Sequence, residues 1–260
     1  MSFFPTRQVA LEILGFSIHW YGLLYLTAFL LTWFLLPRLE QYRGLRFSSE
    51  QRSELLSVGI LGVLIGGRLG YVFLYDPIYF LQRPLEVFFV WNGGMASHGG
   101  FIGVILAVYL YCRKKNIDLW KLADIAVVPA AIGLALGRLG NFINLELYGA
   151  VTSLPWGISI PGVEGLRHPT QIYAVCKDLF IAGVCFLYLV KIKPAKPGRT
   201  FALFLILYSI LRFLLEYIKH QNYPLVDLKI LLLSWGQIYT IPLFIAGIIL
   251  WRWRGNFRQA

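Results

Sequence analysis

The chain has 260 residues, 58% of them hydrophobic and only 14% charged, with a mean hydropathy of +0.65. No water-soluble core of this size needs that balance, so the composition excludes an ordinary soluble domain and predicts a chain built into a bilayer. A formal charge of +11 would suit nucleic acid, but the basic residues are split among short segments between apolar runs. That distribution argues for membrane orientation and against a nucleic-acid partner.

An N-terminal arm holding Arg7 and Glu12 precedes the first apolar run, which begins at Trp20. No small-residue cleavage site follows, so the run is expected to stay as a transmembrane helix rather than leave as a signal peptide. Apolar stretches long enough for a hydrocarbon core of about 30 Å occur at about 20–36, 54–75, 98–112, 122–140, 172–190, 200–218 and 235–251. The predicted fold class is an all-α integral membrane protein, a single polytopic domain over 1–260 with seven transmembrane helices. The longest connection, about 141–171, is too short for a soluble domain. Its Pro155, Gly157, Pro161, Gly162 and Gly165 predict turns in a small outward-facing, periplasmic cap.

Seven spans place the termini on opposite sides, so the basic residues of alternate connections can be compared. One side receives Arg38, Arg43, Arg46, Arg52, Arg113, Lys114, Lys115, Lys121, Lys191, Lys193, Lys196, Arg199, Arg252, Arg254 and Arg258. The other has Arg7, Arg83, Arg167, Lys219 and Lys229, while Arg68, Arg138, Lys177 and Arg212 fall within spans. The positive-inside rule puts the N-terminus outside and the C-terminus in the cytoplasm.

Small residues four apart, Gly62 with Gly66, Gly99 with Gly103 and Gly133 with Gly137, predict close helix approach. Gly-Arg-Leu-Gly occurs at Gly67–Gly70 and at Gly137–Gly140, but the flanks do not match and no duplication is inferred. Cys112, Cys176 and Cys185 have neither CxxC spacing nor a partner set and read as packing residues.

Arginine inside a bilayer is costly, so Arg68, Arg138 and Arg212 unpaired would together cost roughly 7–10 kcal/mol on insertion scales. Arg212 and Glu216 are four apart on one helix face, with Tyr208 four before Arg212, a stripe able to form hydrogen bonds. It also fits an ion pair that only fixes helix packing. By depth the polar residues converge toward the outer side: His19 and Tyr21 at the first span, Arg68 in the second and His98 opening the third. Arg138 and Asn141 end the fourth, with Lys177 and Asp178 in the fifth and Arg212 and Glu216 in the sixth. A shared depth predicts a cationic cavity opening to the outer leaflet, and the planar fork of Arg suits the phosphate of a phospholipid head group. His168 and His220 read as loop residues and His19 as an interfacial anchor. His98 lies in Trp91-Asn-Gly-Gly-Met-Ala-Ser-His98-Gly-Gly100, where paired glycines allow close backbone approach around an imidazole. No His/Asp/Glu/Cys set has ligand spacing, so neither a metal nor another cofactor is expected.

The segments His19-Trp-Tyr-Gly22, Gly66-Gly-Arg-Leu-Gly-Tyr71, Trp91 to Gly100, Gly137-Arg-Leu-Gly-Asn-Phe-Ile-Asn144, Glu146 to Gly149, Arg167-His-Pro-Thr-Gln-Ile-Tyr173, Tyr208 to Glu216 and Gly236-Gln237 carry a resemblance to the prolipoprotein diacylglyceryl transferase family over nearly the whole chain. Gly-Arg-x-Gly-Asn-Phe-x-Asn followed by Glu-x-x-Gly is the specific part; Gly-Arg-Leu-Gly by itself is weak. The resemblance implies a seven-span enzyme of the bacterial cytoplasmic membrane. It would take phosphatidylglycerol and the signal peptide of a prolipoprotein with a lipobox cysteine, and release glycerol phosphate. It implies functional roles for the positions matching Tyr21, His98, Arg138, Asn141, Glu146, Gly149, Tyr208, Arg212 and Glu216. Departures at Leu145, Ala174, Asn92 and Lys219 touch the cap and the head-group rim rather than the reaction.

On that resemblance, His98 is the expected base for the substrate thiol, whose ordinary pKa is about 8.5. Arg138 and Arg212 are expected to neutralise the departing phosphate, with Arg68 as a third anion-binding arginine. Glu216 and Tyr208 would orient Arg212, while Tyr21, Asn141, Glu146 and Gly149 would position head group or signal peptide. An alternative keeps His98 structural and lets an arginine lower the thiol pKa directly. Two rival classes fit the sequence less well. A polytopic lipid or solute transporter usually shows matching halves and midplane charges, which are absent here, and a metal-dependent head-group enzyme needs clustered aspartates.

Overall fold

The computed structural model describes residues 8–13, 16–192, 196–221, 225–227 and 232–256; Arg7, Lys193, Lys229 and Arg258, counted above for orientation, lie outside them. In chain order the elements are β1 (Val9–Ile13), β2 (Phe16–His19), α1 (Trp20–Glu40), α2 (Ser49–Leu74), the short α3 (Pro77–Gln82), α4 (Ser97–Lys115), α5 (Leu119–Ile143), α6 (Thr170–Lys191), α7 (Arg199–Glu216), β3 (Val226–Asp227), β4 (Leu232–Leu233) and α8 (Trp235–Asn256). Each of the seven predicted stretches falls on a long helix. Among the described residues, four of these, beginning at Trp20, Ser49, Leu119 and Thr170, are long and apolar enough to cross a membrane. The other three are broken by polar ends or charges: α4 opens on Ser97-His98 and closes on Arg113-Lys114-Lys115, α7 carries Arg212 and Glu216, and α8 carries Arg252 and Arg254. The chain is therefore a largely helical protein of integral-membrane character.

Two short antiparallel ladders add to the helices. In the arm, β1 pairs with β2 in a register running from Val9 opposite His19 to Ile13 opposite Phe16. Before α8, Val226 pairs with Leu233. Strands of two to five residues are too short for period-two alternation to stand out among apolar runs.

Contacts divide the chain into two compact units, one of Arg46–Leu122 and one of the residues before and after it. In the Arg46–Leu122 unit, α2 starts on a capping box in which Ser48 and Gln51 exchange hydrogen bonds. It then meets α4 along a seam of glycines. A β-carbon on Gly66 would lie 2.4 Å from the Gly99 carbonyl oxygen, and one on Gly62 would lie 2.9 Å from that of Gly103. Gly133 behaves differently, since its β-carbon would make only ordinary contact with Ala28, and Gly137 faces open space.

In the other unit, a buried latch ties the end of α1 to α5 and α7. Arg43 Nε donates to Asp124 Oδ2 at 2.7 Å and Nη2 donates to Thr200 Oγ1 at 2.7 Å. Asp124 also accepts from the backbone N–H groups of Gly198 and Phe201, each at 2.9 Å, so a carboxylate from α5 caps the N-terminus of α7. After α5 the chain runs without helix to Thr170, braced by bridges from Arg167 to Val151 and to Ile158 and from Gly149 to Lys219.

Candidate functional site

The first polar group gathers where α1 begins and α5 ends. Asn141 donates through Nδ2 to Tyr21 Oη and, at 3.3 Å, to Glu146 Oε2, and its Oδ1 accepts from Arg138 Nη1 at 3.4 Å. Tyr21 donates to the same Glu146 oxygen at 3.4 Å, and Asn144 Nδ2 donates to Oε1 at 3.2 Å. Gly140 permits this, because a β-carbon there would lie 3.0 Å from the Tyr21 ring. Glu146 sits between Leu145 (φ 58°) and Leu147 (φ 56°), both left-handed. Such φ values are uncommon for bulky non-glycine residues, and the backbone strain they store is a recurrent feature of functional sites.

The second group lies along α7. Arg212 Nη2 is 3.0 Å from Glu216 Oε2, close enough for an ion pair but off the line of a hydrogen bond. Lys219 Nζ stands 3.6 Å from the other carboxylate oxygen. Tyr208 continues the stripe but turns its ring face to Lys177, whose Nζ is 4.2 Å from the ring centroid. Glu216 is buried against the start of α8, which is capped by reciprocal hydrogen bonds between Ser234 and Gln237. The partial positive charge of that helix terminus faces the carboxylate.

The two groups meet at a cavity lined by Arg138, Leu147, Thr170, Gln171, Ala174, Arg212, Leu215 and Lys219. Three cations line it, and the carboxylates in contact with this set are Glu216 and, through Asn141, Glu146. The five charged groups together carry a formal +1, which suits a singly charged anion. Burial holds the Lys219 ammonium below the ordinary lysine range, and Arg212 pushes the same way while Glu216 opposes.

Gly149 contributes backbone rather than a binding surface. A β-carbon there would lie 2.6 Å from His168 Cβ and 2.7 Å from the Ile218 carbonyl oxygen, and it is this close approach that brings Lys219 alongside the cap. Lys219 and Gln171 were not among the predicted site residues. Lys219 carried a legible signal in its three-residue spacing from Glu216.

In the Arg46–Leu122 unit, Arg68 is 6% exposed and its guanidinium is enclosed by backbone. Nε donates to Val87 O at 2.8 Å, Nη1 to Gly93 O and Gly94 O at 2.6 and 3.1 Å, and Nη2 to Glu86 O and Phe89 O at 2.6 and 3.4 Å. The sequence places Arg68 with the anion-binding arginines; here its donors are committed to the loop that runs into α4. Ala96 N–H, bonded to Gly67 O at 2.9 Å, completes the approach. His98 follows, exposed in the first turn of α4. Among the described residues, no group of three His, Cys, Asp or Glu is placed to hold a metal ion.

Long apolar helices with a cavity lined by two arginines and a lysine define a protein of integral-membrane character with a cationic cavity. The family model for prolipoprotein diacylglyceryl transferase matches residues 8–253. Similar proteins include the phosphatidylglycerol–prolipoprotein diacylglyceryl transferase of Methylibium petroleiphilum, 42% identical over 95% of this chain and 96% of that protein. Those of Polynucleobacter asymbioticus (40%, over 94% of each chain) and Legionella pneumophila strain Paris (39%, over 94% of this chain and 96% of that protein) bear the same name. The chain belongs to the prolipoprotein diacylglyceryl transferase family.

Proposed function

We propose that the chain transfers the diacylglyceryl group of phosphatidylglycerol to the lipobox cysteine of prolipoproteins, forming a thioether and releasing glycerol phosphate. The observation that carries this reading is the cavity of Arg138, Arg212 and Lys219, whose formal excess of one positive charge matches a phosphodiester monoanion. The family match, which runs across both compact units, supports treating them as one polytopic domain of the bacterial cytoplasmic membrane. In this reading the seven long helices all span, the N-terminus and the cap at about 141–171 lie outside, and the C-terminus is cytoplasmic.

The substrate thiol loses its proton to His98, and the thiolate attacks the glycerol carbon that bears the phosphodiester. The C–S bond forms as the C–O bond breaks, and the bonding pair leaves on the phosphate, which becomes a dianion. Arg138 and Arg212 meet that growing charge, where preorganised cations contribute most. Glu216, held by α8, keeps Arg212 in place; Tyr208 and Lys177 brace the same face. Tyr21, Asn141 and Glu146 hold the orientation of Arg138 and contact the head group or the signal peptide. Gly149 closes the cap onto Lys219, and Arg68 acts through the loop that presents His98.

The test is transfer of labelled diacylglyceryl from phosphatidylglycerol to a lipobox peptide by purified protein, with and without chelator. Label on cysteine regardless of chelator, lost in Arg138→Ala and Arg212→Ala and strongly reduced in His98→Ala, supports the assignment and these roles. Full activity in His98→Ala assigns the thiol activation to an arginine. No transfer under either condition rules out the proposed activity.

A further inference from the structure

Gln171, in the first turn of α6, is 2% exposed and lines the cationic cavity. Its Nε2 donates to the Glu146 carbonyl at 2.6 Å. A carbonyl oxygen can only accept, so this bond fixes which end of the amide is nitrogen. The other end, Oε1, is buried with no hydrogen-bond partner. An unpaired buried acceptor costs roughly 1–3 kcal/mol, so a ligand that supplies a donor there gains what the empty site forgoes.

The chemistry of the cavity narrows that donor. Phosphodiester oxygens only accept, and Arg138, Arg212 and Lys219 supply the donors they need. A lone uncharged acceptor among those cations has no use for the phosphate. An ammonium-bearing head group could donate to it, but would enter against three positive side chains. A neutral hydroxyl fits both conditions.

We propose that Gln171 Oε1 accepts a hydrogen bond from a hydroxyl of the glycerol head group, so that Gln171 reads the head-group alcohol while the arginines hold the phosphate. This rests on the transferase reading above. Gln171 is then a specificity-determining residue, and the Glu146 turn that holds its Nε2 sets its aim.

The test compares phosphatidylglycerol with phosphatidylpropanol, which keeps the phosphodiester and its charge and lacks the hydroxyls. Each is presented in nanodiscs with a lipobox peptide. For the wild type, kcat/KM for phosphatidylglycerol is expected to exceed that for phosphatidylpropanol roughly ten- to a hundredfold, the range set by one unpaired buried polar group. In Gln171→Met the phosphatidylglycerol value falls to near the phosphatidylpropanol value, and the latter changes less than threefold. Equal use of both lipids by the wild type overturns the proposal, as does an equal loss on both lipids in Gln171→Met, which would mean that Gln171 only braces the Glu146 turn. A raised KM for the peptide with lipid preference intact assigns the acceptor to a peptide N–H and also overturns it. Transfer from neither lipid by the wild type removes the underlying transferase reading instead.

Discussion

The carboxylate of Glu216 occupies the space that a side chain at position 236 would need: a β-carbon on Gly236 would lie 2.4 Å from Oε1 and 2.5 Å from Cδ. Gly236→Ala must therefore push Glu216 away from Arg212 and Lys219. Transfer activity is expected to fall at least tenfold while the purified protein keeps its helical circular dichroism. Wild-type activity in that variant would mean that Glu216 does not orient Arg212.

Arg138 and Arg212 differ in how they are held, and their lysine variants should differ too. Arg212 faces a buried carboxylate, so Arg212→Lys keeps a charge but loses the planar fork, and kcat should fall roughly tenfold or more. Arg138 touches Asn141 at 3.4 Å, and Asn141→Ala should reproduce part of the Arg138→Lys defect. Steady-state kinetics on phosphatidylglycerol separate the two effects. Additivity of Asn141→Ala with Arg138→Lys would show that the two residues act independently.

Lys219 supplies a pH dependence. Its ammonium is disfavoured by burial first and by Arg212 second, so its pKa in the folded protein lies below the ordinary lysine value. Between those two values the unfolded chain binds more protons, and stability from this group rises with pH through that window. A bound phosphate anion favours the ammonium, so glycerol phosphate should raise the Lys219 pKa. NMR of isotopically methylated lysines, with and without glycerol phosphate, checks both signs.

The Arg68 enclosure predicts a loop defect rather than a lipid-binding defect. Arg68→Lys keeps the charge but cannot serve five carbonyls, and Gly94→Ala sets a β-carbon 2.8 Å from Arg68 Nη1 at a residue with φ +77°. Both should speed hydrogen exchange across 84–95 and lower kcat about tenfold, with KM for phosphatidylglycerol within twofold. A large rise in KM with unchanged exchange would return Arg68 to the phosphate.

The Arg43–Asp124 latch lies toward the ends of α5 and α7 opposite those that carry Arg138 and Arg212 and should affect stability alone. Asp124→Asn leaves Arg43 facing a neutral partner in a buried setting, a loss of about 3–5 kcal/mol. A lower thermal midpoint in detergent, with unchanged activity per folded molecule, is the expected result.

The long helices were legible in the sequence because apolar runs of that length have few other readings, and the Arg212–Glu216 pair was legible because four-residue spacing is a local property of one helix. Tyr21, Asn141 and Glu146 could be named, but their shared hydrogen bonds depend on how α1 meets the turn after α5. Arg68 read as an anion site because a lone arginine in an apolar run does not show that its acceptors are the carbonyls of a loop some twenty residues on. A glutamine at a helix start resembles an ordinary capping residue, and only the Glu146 carbonyl reveals that its oxygen is left over. The arm and the segment before α8 form ladders too short for any periodicity to mark.

Arg212 and Glu216 pair within one helix, so their mutual neutralisation does not wait for a neighbouring helix. During synthesis, two charges entering a bilayer separately would cost about 5–7 kcal/mol on insertion scales. Four residues apart on a nascent helix, they can meet as soon as that turn has formed, so that, in the proposed seven-span topology, the part of α7 after Arg199 would enter the lipid without net charge. On the proposed roles, the contact that aims a guanidinium at substrate would thus also serve biogenesis, and exchanging Glu216 for a neutral residue should reduce the amount of protein inserted in cells as well as its activity.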